Sequence, residues 1–364
     1  MMLDVALKLL SKIEEHGYQA YIVGGFVRDY ILNIESNDID IATNATPKEL
    51  IEIFPESYLP HDDYGSVTVM SKNIRFEITT FRREISYINN RRPSEIEYID
   101  DLYSDLLRRD FTINTICMNS RGEVIDYLGG QNDLNNRVVK VVGNAKDKFM
   151  EDALRILRGI RFATILDFDL DEEIVLAIKD TKHLLKNLSY NRKKEELDKI
   201  FTSGNAERGI ELLLRFDLDK ELELFNLDKV TDTSNLIGIW SVLDVTSKYP
   251  FTNNEKELIS NINKAMTHNN LDPYILYTYG LYVNSVVADI KGIDKKDVTM
   301  SYNNLVIHSR KELDITSYDI MRCLDRKPGS YLNDIYSDIE QEVLYRRIPN
   351  DKQKIIDYII SKYK

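Results

Sequence analysis

The distribution of proline divides this chain into two parts that are expected to fold differently. After Pro93 no proline occurs until Pro250. Proline interrupts helices because it lacks a backbone N–H and its ring clashes with the preceding turn. Within this interval, residues 147–201 are rich in Leu, Ile, Arg, Lys and Glu, which favour helix. The sequence therefore predicts helices from about residue 147, and further helices with polar links as far as Lys364.

The residues before about position 130 have the pattern of a sheet combined with helices. An apolar run at 20–23 ends in two glycines, and residues 38–42 alternate in polarity, as strands with one buried face do. Thr46, Pro47 and Glu49 form the pattern that begins a helix. We therefore predict an α+β domain with a mixed sheet, and strands at 20–23, 38–42, 66–70 and 75–81.

Length, charge and cysteine content limit the classes of protein. The length of 364 residues suggests two or three domains, and two cysteines exclude a disulfide framework, so we expect a cytoplasmic protein. No apolar run reaches the roughly 18 residues of a membrane span. The net charge of −12 argues against nucleic-acid binding by the chain as a whole. Residues 182–199, however, contain six basic side chains against three acidic ones, which permits RNA binding at a local basic surface.

Three carboxylates are candidates for a metal site. Asp38 and Asp40 lie two residues apart in a predicted strand, so both side chains point to the same face. Glu77 lies on the open face of another predicted strand. Acids this close repel one another, and a cation that prefers oxygen ligands, such as Mg2+, relieves the repulsion. Taken alone, each pattern is also explained by solvated acids on a sheet face.

Glycine and arginine residues form two candidate phosphate sites. Gly24 and Gly25 follow a predicted strand and allow backbone amides to approach a ligand, and Arg28 lies one turn into the next helix. Arg108 and Arg109 precede Asp110, and guanidinium groups bind phosphate bidentately. An ordinary turn and a surface ion-pair cluster are the respective alternatives.

A polar stripe is predicted on a helix that starts near residue 151. Residues three apart drift only slowly around a helix, so one side carries Asp152, Arg155, Arg158 and Arg161. The opposite side is apolar and is expected to pack against a core; it carries Ala153, Ile156, Leu157, Ile160 and Ala163. A carboxylate one turn before a guanidinium matches the donors and acceptors on nucleobase edges. A solvated face with ion pairs is the alternative.

Together these motifs resemble a known family. The segments GGFVRD, DID, EITTFR, RRDFT, DYLGG and EDALRILRGIRF occur in this order. They are similar to the class II tRNA nucleotidyltransferases, the CCA-adding enzymes of bacteria and eukaryotes, within the DNA polymerase β-like superfamily. The resemblance covers residues 20 to about 200, and the remainder of the chain agrees only in its helical character.

The resemblance implies a role for each motif. It implies that Asp38 and Asp40 bind metal and that two Mg2+ ions support nucleotidyl transfer. Glu77 is a further catalytic candidate from its place on the open face of a strand, if that strand neighbours the one with Asp38 and Asp40. Nucleotide contacts are implied for Gly25, Arg28, Arg109, Arg158 and Arg161. Asp152 and Arg155 correspond to an amino-acid template that selects CTP or ATP. Arg192, Glu196 and Lys199 correspond to a supporting basic helix.

The resemblance also implies an organisation and an activity. A catalytic head would cover residues 1–140, a helical neck with the template 141–205, and an all-helical body and tail 206–364. The expected reaction is addition of C, C and A to the 3′ end of tRNA, without a membrane partner. One departure is Tyr64-Gly65-Ser66, where the family has His-Gly-Thr, and serine retains the hydroxyl.

Related activities remain open at this point. Partial enzymes that add only CC or only A are the nearest alternative, and poly(A) polymerase is a further one. The segment Arg82–Leu107, which includes Arg91, is retained at full length and favours complete CCA addition. An inactive RNA-binding module is a fourth candidate, against which the retained Asp38 and Asp40 argue.

Overall fold

The computed structural model describes residues 2–36, 38–58, 65–88 and 92–364. They form two compact units, Met1–Glu223 and Leu224–Lys364. Tyr64 and Arg91, which the sequence comparison singles out, lie outside the described residues. The predicted domain limits at residues 140 and 205 stay predictions.

The first unit combines a mixed sheet with helices, as predicted. Its strands are β1 (Ala20–Val23), β2 (Asp40–Thr43), β3 (Ser66–Ser71), β4 (Ile74–Thr80), β5 (Arg82–Ile88), β6 (Arg92–Tyr98), β7 (Cys117–Met118), β8 (Val124–Ile125), β9 (Val138–Val139) and β10 (Asp169–Leu170). Its helices are α1 (Met2–Glu15), α2 (Gly25–Ile31), α3 (Pro47–Ile53), α4 (Leu102–Leu107), α5 (Gly130–Asn135), α6 (Ala145–Glu151), α7 (Leu154–Leu166), α8 (Glu172–Thr181), α9 (Tyr190–Phe201), α10 (Ala206–Arg215) and α11 (Leu218–Leu222). Short 3-10 turns occupy Thr112–Asn114 and Lys182–Asn187.

Six of these strands form one sheet in the order β3-β4-β2-β1-β7-β8. All neighbours are antiparallel except β2 and β4, which are parallel and bring Asp40 opposite Glu77. β5 pairs with β6, and β9 pairs with β10. Ile22, Ile41 and Ile78 are buried, so the alternating apolar residues pin the register of the central strands.

Local sequence signals account for the elements around the sheet. Thr46 and Glu49 form the predicted capping box at the start of α3, with Pro47 in its first turn. The predicted apolar side of α7 is buried, including Ile156, Leu157 and Ile160. The helix is therefore held against the core by the side that the sequence pattern indicates.

Two details of the sequence prediction are wrong. β2 begins at Asp40, so Asp38 lies outside the strand in which it was predicted. Asp152 does not belong to the same helix as Arg155, because it has extended backbone angles between α6 and α7. Its side chain accepts a hydrogen bond from the backbone N–H of Leu154 at 3.0 Å, a local turn that competes with a continuous helix.

The second unit, all of which is described, is built from helices. They are α12 (Leu236–Leu243), α13 (Asn253–Met266), α14 (Pro273–Lys291), α15 (Lys295–Asn303), α16 (Ser317–Leu324), α17 (Tyr331–Leu344) and α18 (Lys352–Tyr363). Short 3-10 turns occupy Leu227–Lys229 and Arg310–Glu312. Trp240 is fully buried against Tyr249 and Phe251. The prediction of a helical C-terminal region is confirmed. No helix that the structure describes is both long enough and apolar enough to cross a membrane.

Candidate functional site

Asp40 lies at the point where the sheet opens into a polar cleft. It is paired in register with Glu77 on β4 and with Val23 on β1. Partial removal from water and, to a smaller extent, the charges of Asp38 and Glu77 together raise the pKa of the Asp40 carboxyl to about 6, although Arg109 acts in the opposite direction. The side chain still reaches solvent in part. The surroundings of Asp40 therefore disfavour its charged form, and a nearby cation would stabilise that form.

The acidic residues fit a divalent cation only in combination with a ligand. Among the described residues, no three acidic, histidine or cysteine side chains lie close enough to hold a metal ion by themselves. Mg2+ commonly takes one or two protein carboxylates and completes its shell with substrate phosphates and water. Asp40, with its raised pKa, and the exposed Asp38 supply hard oxygen donors of that kind. The donor set suits such a site.

The turn between β1 and α2 brings backbone and an arginine to the same cleft. Gly24 has φ 78°, a left-handed conformation that glycine adopts without strain. Gly25 begins α2, and Arg28 is buried within that helix. The Arg28 guanidinium donates to Asn114 Oδ1 and to Asp29 Oδ1, both at 2.8 Å. Its orientation is therefore fixed before any ligand arrives.

Asp105 holds the arginine pair that follows α4. Its carboxylate is buried and accepts hydrogen bonds from Arg108 Nη2 at 2.7 Å and from Arg109 Nη2 at 3.1 Å. Burial acts to raise the pKa of Asp105, but the charges of Arg108 and Arg109 outweigh it and the net shift is downward. Arg109 Nε is buried and has no hydrogen-bond partner among the described residues. The sequence analysis missed Asp105, although its spacing from the arginines matched an ion pair.

A second aspartate, Asp110, whose side chain is only 11% exposed, connects the arginine segment to α7. Its carboxylate accepts from Arg158 Nε and pairs with Arg158 Nη2, both at 2.6 Å. Burial acts against the charge, but Arg158 keeps the pKa of Asp110 below its usual value. Asn114 Nδ2 donates to Asp110 Oδ1 at 3.3 Å while its oxygen accepts from Arg28. A continuous polar chain thus runs from α2 to α7.

The predicted template residues have partners within the same unit. Asp152 accepts from Arg192 Nη2 at 2.8 Å. Arg155 Nη1 donates to Glu151 Oε2 at 2.5 Å and to the carbonyl of Lys148 at 3.0 Å. These contacts hold an acceptor and a donor group at the break between α6 and α7.

Farther along α7, Arg161 pairs with the buried Glu196 of α9 at 2.9 Å. Burial lowers the pKa of the Arg161 guanidinium, although Glu196 acts in the opposite direction. The pair ties α9 to α7 on the side that carries the arginines. Glu196 was included in the sequence analysis only as part of a supporting helix.

Most of the predicted site residues line one cavity of about 570 Å3. Those that line it are Gly25, Arg28, Asp40, Arg109, Asp152, Arg155, Arg158 and Arg161. Eight arginines and three aspartates line it in all, so it is strongly cationic although the chain carries −12. Glu77 lines a neighbouring cavity together with Asp40, and Asp38 lines neither of the two. The cavity suits an anionic ligand that carries a hydrogen-bonding group.

Family models match three segments of the chain. The model described as "Poly A polymerase head domain" matches residues 20–140. The model described as "Probable RNA and SrmB- binding site of polymerase A" matches residues 167–223. The model described as "tRNA nucleotidyltransferase domain 2 putative" matches residues 241–359.

Whole-chain relatives are similar over nearly their full lengths. The CCA-adding enzyme of Staphylococcus haemolyticus is 34% identical and the alignment covers 100% of this chain and 99% of that protein. The CCA-adding enzyme of Lactococcus lactis subsp. cremoris is 35% identical, with 96% and 94% covered. The Bacillus stearothermophilus CCA-adding enzyme in complex with CTP superimposes with a TM-score of 0.86 at 26% identity, covering 99% of this chain and 97% of that chain.

Replacing Asp40 with Asn removes a carboxylate that its surroundings destabilise. In EDTA at pH 7 we expect Asp40→Asn to raise the melting temperature. The pKa of folded Asp40 is about 6, above its ordinary value of 3.8, so the folded wild type binds a proton as pH falls through this window. The advantage of the variant therefore shrinks between pH 6 and pH 4. Thermal unfolding followed by circular dichroism measures both effects.

Added Mg2+ provides the second half of this experiment. We expect it to raise the melting temperature of the wild type and not that of Asp40→Asn, because only the wild type keeps both carboxylates. Asp100→Asn, which alters an exposed acid elsewhere in the unit, is the control and should follow the wild type. Identical melting temperatures for wild type and Asp40→Asn in EDTA would contradict the repulsion described above.

Replacing Asp105 with Asn tests the support of the arginine pair. We expect the free energy of unfolding to fall by about 3 kcal/mol. This is the lower end of the range for removing one partner of a buried ion pair, because both arginine side chains are partly exposed to water. Urea denaturation measures this change, again with Asp100→Asn as the control. A change within about 0.5 kcal/mol, typical of surface substitutions, would show that Asp105 does not hold the pair.

Proposed function

The chain belongs to the family of CCA-adding enzymes, which are nucleotidyltransferases, and from this premise we propose that it adds C, C and A to the 3′ end of tRNA. Its substrates would be CTP, ATP and tRNA lacking part or all of the 3′ end. One observation carries the proposal: Asp40 and the pair Asp152 and Arg155 line the same cavity. One bound nucleotide could therefore place its triphosphate near Asp40 and its base near Asp152 and Arg155. The predicted cytoplasmic location stays a prediction.

The triphosphate would be bound by the arginines of the cavity. Arg109 has a buried Nε donor without an acceptor in the described part of the chain, which suits a phosphate oxygen. Arg28 and Arg158 are oriented in advance by Asn114 and Asp110. Phosphoryl transfer depends mainly on positioning and on stabilisation of negative charge, and preorganised guanidinium groups supply both.

Asp38 and Asp40 would hold Mg2+, with Glu77 as the neighbouring acid. Two such ions, when bound, would activate the 3′-hydroxyl of the RNA and neutralise charge on the triphosphate. The protein side chains contribute the anionic oxygens, and Arg109, which Asp105 holds, lines the same cavity as Asp40. The reaction joins the 3′ oxygen to the α-phosphorus and releases pyrophosphate.

Asp152 and Arg155 would select the base. Cytosine and adenine each present an amino donor beside a ring-nitrogen acceptor, whereas uracil and guanine present the reverse order on the same edge. A carboxylate accepts from the amino group and a guanidinium donates to the ring nitrogen. Asp152 uses only part of its acceptor capacity on Arg192 and Leu154, so it retains lone pairs for a base.

Product length tests the proposed activity. We expect the wild-type protein, Mg2+, CTP and ATP to extend tRNA lacking its 3′ end by three nucleotides, and CTP alone to extend it by two. Denaturing gel electrophoresis of labelled tRNA gives the lengths. Asp40→Asn should abolish extension, because it removes a carboxylate from the reacting centre.

The same gel separates the related activities. An end point of two nucleotides with both substrates would identify a CC-adding enzyme, and extension only of tRNA that already ends in CC would identify an A-adding enzyme. Long products with ATP alone would identify a poly(A) polymerase. No extension under any condition would contradict nucleotidyl transfer to tRNA by this chain.

Asp152→Ala tests base selection. We expect the preference for CTP over UTP, measured as the ratio of kcat/KM values, to fall by about 10–100-fold, the range for losing one bidentate base contact. The rate with saturating CTP should change less than the preference. Asp147→Ala removes an exposed carboxylate on α6 and is the matched control. Wild-type discrimination against UTP in the Asp152→Ala protein would show that the carboxylate does not read the base.

A further inference from the structure

A second cavity meets the first at Asp40. It has a volume of about 550 Å3 and extends over β3 and β4. Arg82, Arg108 and Arg109 border both cavities, whereas Asp152 and Arg155 border only the first. Transfer between two substrates requires that both reach the same carboxylates from different sides. If a nucleotide occupies the first cavity, which Asp152 and Arg155 line, the second cavity is open to the RNA acceptor.

The lining of the second cavity favours a negatively charged ligand with hydroxyl groups. Four arginines face two carboxylates in it, so its charge is positive. Ser66 and Thr79 lie opposite each other in register, and their hydroxyl oxygens are 2.9 Å apart. Each hydroxyl both donates and accepts, which suits the 2′-hydroxyl of a ribose.

Arg75 is the charged residue of this cavity that the sequence motifs do not include. It lies two residues before Glu77 on β4, so the two side chains share a face about 7 Å apart along the strand. Arg75 is exposed, and within the part of the chain that the structure describes it has no ion pair or hydrogen bond. Its guanidinium is thus available beside Asp40 and Glu77. A guanidinium can bind a phosphate bidentately.

We propose that the second cavity binds the 3′-terminal nucleotides of the RNA acceptor, and that Arg75 holds one of their phosphates. This inference rests on the proposed function, because it assigns the other substrate of the same reaction. Arg75 is a substrate-binding residue here, separate from the arginines that face the triphosphate. Its contact would set the position of the RNA end relative to Asp40.

Steady-state kinetics with Arg75→Ala tests the assignment. With tRNA that ends in CC as acceptor and ATP as donor, we expect the KM for tRNA to rise about tenfold. The KM for ATP should stay within about twofold, because the nucleotide cavity does not include Arg75. Arg75→Lys should recover part of the loss, because a lysine retains the charge without the bidentate geometry. Arg121→Ala removes an arginine that lines neither cavity and is the matched control.

Equilibrium binding of RNA without nucleotide gives an independent readout. For tRNA ending in CC, the slope of log affinity against log salt should decrease by about 0.7 in Arg75→Ala, the value for one phosphate contact on a single strand. For tRNA trimmed to its base-paired stem, without unpaired 3′ nucleotides, Arg75→Ala and wild type should bind alike. Fluorescence anisotropy measures both series.

The outcomes separate this inference from the proposed function. Equal loss of affinity for both RNAs, an unchanged salt slope, or a raised KM for ATP alone would overturn the role of Arg75 while nucleotide addition by the wild type stands. If the wild type adds no nucleotide, the proposed function fails, and the binding series still decides whether Arg75 contacts the RNA end. A changed slope limited to the longer RNA supports the assignment.

Discussion

The concentration of arginine around one cavity is the constraint on which the rest of the site depends. Eight guanidinium groups at such close range repel one another and would separate without compensation. Three acids with little exposure to water oppose this for four of the arginines: Asp105 holds Arg108 and Arg109, Asp110 holds Arg158, and Glu196 holds Arg161. Because each of these acids is paired with an arginine, they orient the guanidinium groups while the lining of the cavity keeps an excess of positive charge. The cavity keeps a positive field in a chain of net charge −12.

Local sequence patterns were sufficient to predict the elements that carry the site. Alternating polarity predicted β4 and most of β2, and the capping box predicted the start of α3. These patterns suffice because each depends on neighbours within a few residues. The same holds for the buried side of α7, whose apolar spacing matches the helical period. The resemblance of the motifs to a family then indicated which polar side chains belong together.

The supporting acids were not predictable in the same way. Asp110 and Arg158 are 48 residues apart, and Arg161 and Glu196 are 35 apart, so no local pattern joins them. The break at Asp152 was missed for a different reason. Spacing in steps of three favours one continuous helix, whereas the backbone N–H of Leu154 donates to the Asp152 side chain at the point where α6 ends and α7 begins. Pairing between distant parts of the chain therefore determines the positions of the supporting acids, and competition of the Asp152 side chain for a backbone N–H determines the helix break.

The break between α6 and α7 has a consequence for the proposed base selection. On a continuous helix, Asp152 and Arg155 would be fixed one turn apart by the backbone alone. Here Asp152 has extended backbone angles and is held by Arg192 of α9, while Arg155 is held by Glu151 of α6. The two groups that the proposed function assigns to base selection are therefore positioned by side-chain partners on different elements. Under the proposed function, this separate positioning would let each group adjust on its own to a pyrimidine or to a purine.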